Sequence, residues 1–382
     1  MNEPDANAFS PRLTLARAMA WALLLAGWVG LGGVALSLTP RLEGVHALVA
    51  AWLLALGVAA LVATRDSLRA RSRRIGLGLC AVLTAATLVG ATHGGGVPAV
   101  LVALGGWAGL TALASGVVRS VRLAQRLRPA PPIGAATLGA LCAGIAIGDP
   151  SDARALSLRL GVLVLAAAFA LALLQIDDRP GVAASRCRAG LFDCSLPAWP
   201  VGAWHDPQQW PVLLAGLGML PMMATLPLMV AWCRTDAMAP QGMVALHFAA
   251  MFLPALMLRQ SVGHWPARVL ALACTLLLAA GAVAAIWASA PWNLLGVALA
   301  HGTAWSLAWT GQLWSPDRRS RQGTSPLRPA IGYAALTMGV GLAVEQWGPA
   351  GLALTQAGLG LAAALAWAYV LATREQGLVH KS

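Results

Sequence analysis

Two neighbouring stretches decide the fold: PVLLAGLGMLPMMATLPLMVAWC at residues 211–233 and PQGMVALHFAAMFLPALML at residues 240–258. Each is about as long as the roughly 20 apolar residues that cross a bilayer as a helix. Outward from this pair, further apolar runs occupy 15–38, 44–64, 75–93, 97–118, 133–149, 156–176, 267–288, 291–314, 330–348 and 350–373. Of 382 residues, 58% are hydrophobic and 10% charged, whereas a soluble domain carries about 25% charge. The composition therefore predicts an all-α membrane protein of twelve transmembrane helices. A longer polar stretch after the sixth run divides the chain into an N-terminal six-helix half (1–176), a central cytoplasmic loop (177–210) and a C-terminal six-helix half (211–382).

The net charge of +12 would suit a nucleic-acid partner if the arginines formed a stripe interleaved with aromatics. They fall instead in alternate short loops between apolar runs, which points to a lipid bilayer and excludes nucleic acid. With both termini in the cytoplasm, 22 of the 26 basic residues lie on that side, and only Arg41, Arg154, Arg159 and Arg234 lie opposite. This is the positive-inside bias of a multi-pass inner-membrane protein. The N-terminus, MNEPDANAFSPRLTLARAM, is polar and acidic before its first arginine, so the first run reads as a retained helix and not a cleaved signal. Arg154 and Arg159, near the start of the sixth helix, read as snorkelling to the interface. The tryptophans, including Trp199, Trp204, Trp210, Trp314 and Trp347, read as an interfacial belt.

Six cysteines form no CxxC pair and no disulfide framework. There is no glycine-rich phosphate loop, no buried carboxylate pair and no nucleophile–base pair. Neither an enzyme nor an ATP-driven pump is expected, and no resident cofactor.

Eight of the eleven methionines lie between Met219 and Met257, and two pairs there have one-turn spacing: Met219 with Met223, and His247 with Met251. Residues four apart share a helix face, so each pair presents two donors to one point. Thioether with imidazole suits Cu(I), whereas magnesium or calcium needs oxygen ligands. At 1.5 Å per residue both pairs fall near the middle of their segments, where a polar group is costly and tends to have a task. Against this stand the ordinary uses: methionine fills gaps in a core, and a buried histidine can tie two helices together. Cys233 closes the outer end of the seventh segment. His301 on the tenth is left between an outer partner of the site, a proton-coupling group and a helix–helix hydrogen bond. Cys187 and Cys194 in the central loop are candidates for a copper hand-off, since thiolates are soft ligands.

Twelve helices in two halves, with basic loops after the second and eighth, resemble the major facilitator superfamily. The superfamily's loop signature, G-x-x-x-D-R-x-G-R-R, survives as Asp66, Arg69, Arg71, Arg73 and Arg74, with Val62 at its first glycine. M-x-x-x-M on helix seven, followed by H-x-x-x-M on helix eight, is similar to the CcoA-type copper importers. That resemblance implies copper import across the bacterial inner membrane to supply haem–copper cytochrome oxidase. It also implies Met219, Met223, His247 and Met251 as metal ligands, with a thiol ligand at the place of Cys233; a cytoplasmic copper acceptor is the expected partner. Two alternatives are a transporter of a small organic molecule, by drug efflux or vitamin uptake, and a non-transporting copper sensor or oxidase-assembly factor.

Overall fold

The computed structural model describes residues 10–38, 43–63, 70–124, 133–148, 152–175, 210–232, 240–262, 264–287, 292–314 and 327–379. These form α1 (Pro11–Leu38), α2 (Glu43–Ala63), α3 (Ala70–Gly90), α4 (Gly96–Ala124), α5 (Ile133–Ile147) and α6 (Ala153–Leu174). The chain continues as α7 (Trp210–Trp232), α8 (Pro240–Val262), α9 (Ala267–Trp287), α10 (Trp292–Trp314), α11 (Leu327–Trp347) and α12 (Pro349–Val379). A π-helical turn, Ala91–Gly95, joins α3 to α4. There Gly94 takes φ +108°, a conformation that favours glycine.

Among the described residues, seven helices are long and apolar enough by themselves to cross a membrane: α1, α2, α3, α4, α6, α9 and α12. α5 is short, at 15 residues, while α8, α10 and α11 carry His247, His301 and Glu345. Such side chains need protein, not lipid, around them.

Packing sorts the chain into two compact units, Met1–Leu196 with Gln322–Ala335, and Pro197–Arg321 with Leu336–Ser382. In the first, α1 packs on α2, α4, α5 and α6, α2 packs on α4, and α3 packs on α4 and α6. In the second, α7 packs on α8, α10 and α12, α8 packs on α10, and α9 packs on α10 and α12. Each of these second-unit pairings is a first-unit pairing advanced by six helices, whereas the packing of α7 on α9 belongs to the second unit alone.

Side-chain exposure sorts the helices into inner and outer ones. Within its apolar window α1 is 89% buried, but α3 only 28% and α9 33%, which makes α1 an axle and puts α3 and α9 at the rim. Leu79 and Val82 on α3, Phe169 on α6, Ile286 on α9 and Leu361 on α12 are exposed. This apolar outer surface is what a lipid solvent requires.

In the first unit, Trp28 and Trp52 meet edge to face at 5.6 Å, and Trp107 Nε1 donates to Leu23 O at 2.8 Å. The tryptophan belt is therefore only part of the account. Trp287, Trp292 and Trp347 are exposed at helix ends, but Trp21, Trp28, Trp52, Trp107 and Trp305 are buried. α1 and α5 approach closely because Gly139 has no side chain; a methyl there would lie 2.6 Å from Trp21 Cβ. Small residues at such crossings let membrane helices associate. Arg159 does more than reach for the interface: its Nη2 donates to Ile147 O at 3.1 Å, covering one of the carbonyls left open at the end of α5. Asp152 caps α6 by accepting from the N–H groups of Arg154 and Ala155.

Candidate functional site

One stripe of α7 faces inward. Val212 and Ala215 join Leu270, Cys274 and Leu278 of α9, Ala304 and Leu307 of α10 and Ala363 of α12 in a buried cluster. Advancing from Ala215 by four and seven residues, the repeat of one helix face, reaches Met219 and Met222. Met223 lies at the edge of this stripe. Met219, Met222 and Met223 are all buried, so their thioethers lie within the bundle and not among lipids.

On α8, His247 and Met251 are likewise buried. His247 Nδ1 lies 3.0 Å from Ala298 O on α10. A carbonyl oxygen only accepts, so Nδ1 carries the ring proton and Nε2 keeps its lone pair. Nε2 is buried and has no hydrogen-bond partner. A metal-binding imidazole is held in this way, with one nitrogen anchored and the other left open. The close approach of α8 and α10 depends on Gly302. A methyl there would lie 2.9 Å from Ala250 Cβ and 3.2 Å from both His247 O and Met251 N.

Three residues beyond Met251 stands Pro254, inside the helix, where it removes a donor and disturbs the ladder. The next amide, Ala255 N–H, donates to Ser306 Oγ on α10 at 2.8 Å. Phe252 meets Trp305 and Trp309 edge to face, at 5.6 and 6.1 Å, and those two indoles stack at 5.2 Å.

α10 packs broadly on both α7 and α8, while α7 and α8 touch only slightly. The structure thus puts Met219, Met222 and Met223 on the buried side of α7 and His247 with Met251 on the buried side of α8, and no contact between the two pairs is found among the described residues. Among the described residues, the hydrogen bonds of these groups run to α10 and α12. His301, fully buried, stands on the side of α10 that meets α7 and α9. Its ring lies beside Gly218 of α7 and Gly281 of α9 and has the Gln356 side chain of α12 as its partner, which leaves one buried nitrogen open.

Sequence reasoning passed over Gln356 on α12, which is fully buried and donates from Nε2 to Met222 Sδ. A carboxamide in the middle of an apolar helix is a signal of the same kind as a mid-membrane histidine. Met222, taken singly, carries no sequence signal beyond that of a methionine filling a core. Cys233, Cys187 and Cys194 lie outside the described residues. Among the described residues no three His, Cys, Asp or Glu side chains converge, so any metal site here depends on methionine sulfur.

The helix order and the likeness to solved structures define the fold: this chain has the major facilitator fold, a multi-pass α-helical membrane architecture. Among solved structures, the nucleoside transporter NupG is 16% identical and superposes with a TM-score of 0.61, covering 94% of this chain and 98% of that one. A bacterial homologue of the human lysosomal transporter Spinster, inward-facing and occupied, is 14% identical, with a TM-score of 0.58 over 96% and 98%. The human organic anion transporter MFSD10 (TETRAN) is 14% identical, with a TM-score of 0.55 over 96% and 100%. No family model and no curated protein matches the sequence.

Proposed function

We propose that this chain is a secondary transporter that imports copper across the bacterial inner membrane by alternating access and so supplies haem–copper oxidase assembly. Both termini lie in the cytoplasm, and the ion passes to a cytoplasmic acceptor. Met219 and Met223 on α7 and His247 with Met251 on α8 are the ligands, with Cys233 and His301 as accessory groups. The observation that carries this reading is the state of His247: Nδ1 anchored on Ala298 O, Nε2 buried and open. Met251 follows one helical turn later. Soft thioethers and an imidazole, with no converging carboxylates among the described residues, favour Cu(I) over a hard cation. A membrane potential draws a cation inward by about 2.3 kcal/mol per charge per 100 mV.

A second reading, transport of a small organic molecule, is favoured by the names of the structural neighbours and by the buried Phe252–Trp305–Trp309 group, in which Trp305 Nε1 has no partner. Copper accumulation separates the two. Cells expressing wild type, Met223→Ala and His247→Ala to equal levels are expected to lose uptake in both variants. Wild-type uptake in both would return these residues to packing and leave the organic solute as cargo.

A further inference from the structure

Resting on the copper reading, we propose that Met222, His301 and Gln356 form a second Cu(I) station within the C-terminal half. Met222 Sδ and one His301 nitrogen are its ligands, and Gln356 is a positioning residue. The three side chains come from α7, α10 and α12 and meet over Gly281 of α9. A methyl at Gly281 would lie 3.5 Å from His301 Cδ2 and 3.9 Å from Gln356 Oε1, and Gln356 Nε2 reaches Met222 Sδ. On the α7 side, Gly218 leaves the room that the ring occupies, its would-be methyl 3.2 Å from His301 Cε1 and 3.6 Å from Nδ1.

Two features distinguish this group from ordinary packing. A thioether is a weak acceptor, yet Met222 directs its sulfur at a carboxamide and not into the neighbouring Ala215–Cys274 cluster. Gln356 is also the side-chain partner of His301, and the ring nitrogen that it does not reach is one of the buried polar atoms left unmet. Native interiors rarely leave such atoms unmet unless they have a role. Sulfur and imidazole nitrogen together match Cu(I). On loading, the sulfur lone pair goes to the ion. The released carboxamide then turns its oxygen to the His301 N–H that faces away from the metal, the outer contact that fixes a ligating imidazole. His247 stands on the α8 side of α10 and His301 on its α7 side.

The test is an anaerobic Cu(I) titration of the full chain in lipid nanodiscs, in competition with bicinchoninate. Wild type is expected to bind two ions, and Met222→Leu and His301→Phe one each. Gln356→Leu is expected to keep two while weakening one by about 10–100-fold. The double variant Met223→Leu/His247→Leu retains the ion of the second station. Met222→Leu is nearly isosteric, so it tests the station even if His301→Phe fails to fold. Two ions bound undiminished by Met222→Leu would overturn the second station and leave the main site standing. A wild-type chain that binds no Cu(I) would overturn the copper reading itself.

Discussion

Asparagine at position 247 separates the two things the His247 ring does. Its carboxamide nitrogen hangs from Cγ as Nδ1 does, so it can still donate to Ala298 O across the 3.0 Å gap. Nothing replaces Nε2. His247→Leu removes both functions. An interhelical hydrogen bond within a membrane contributes about 0.6 kcal/mol on average and up to about 1.7. His247→Leu should therefore lower the folding equilibrium roughly 3- to 20-fold, while His247→Asn stays within a few tenths of a kcal/mol of wild type. Binding should behave differently. Loss of an outer partner of a metal ligand weakens affinity by about 10–100-fold, and loss of the ligand itself costs at least as much. A hundredfold weakening corresponds to about 2.7 kcal/mol. The assay pairs thermal unfolding, read by tryptophan fluorescence, with Cu(I) competition on the same samples. The expected result is an asparagine variant that melts like wild type and binds copper about a hundredfold more weakly. An asparagine variant that binds and imports normally, beside a leucine variant that does neither, would refute the reasoning and reduce His247 to a clip between helices.

Three further outcomes follow from particular contacts. Gly302→Val should force α8 off α10, because even its Cβ would sit 2.9 Å from Ala250 Cβ. Overpacking of that kind costs about 1–3 kcal/mol, visible as a lowered melting temperature together with lost copper binding. Ser306→Ala leaves the Ala255 N–H without its 2.8 Å acceptor. An orphaned buried donor costs about 1–3 kcal/mol, and hydrogen exchange around Ala255 should accelerate while exchange in α1 stays unchanged. Trp107→Phe removes the donor to Leu23 O and should lower the melting temperature through a loss of about 0.6–1.7 kcal/mol, with copper uptake retained because the contact lies in the other unit.

Hydrophobic run length made the twelve helices legible, because a bilayer asks each span for a long apolar run, but several of their ends were missed, as where α4 runs on to Ala124 and α12 to Val379. The errors fall where something other than lipid sets the boundary. α3 begins at Ala70, earlier than its apolar run, because Arg71, Arg73 and Arg74 extend the helix beyond the apolar segment. Of the candidate site, His247 could be found because a histidine amid apolar residues is costly. Its anchoring on Ala298 could not, because a backbone carbonyl leaves no mark in the sequence. Sequence adjacency suggested α7 against α8, yet Gly302 and the tenth helix take that place. No one-dimensional pattern says which non-adjacent helix will intervene. Gln356 was readable by the same rule as His247, but Met222 became interesting only once α12 lay beside it.

The carbonyl of Ala298 also sets a proton count. Since it holds the Nδ1 proton in place, an ion that takes the Nε2 lone pair displaces no hydrogen from His247 and meets the same tautomer at each turnover. Under the copper reading, the ion's charge then crosses without an exchanged proton from this ring to compensate it, so each turnover should carry a current through His247's side of the site. The thioethers of Met219, Met223 and Met251 have no proton to give up either. Under the same reading these ligands make the site electrogenic, and the membrane potential acts on the ion directly.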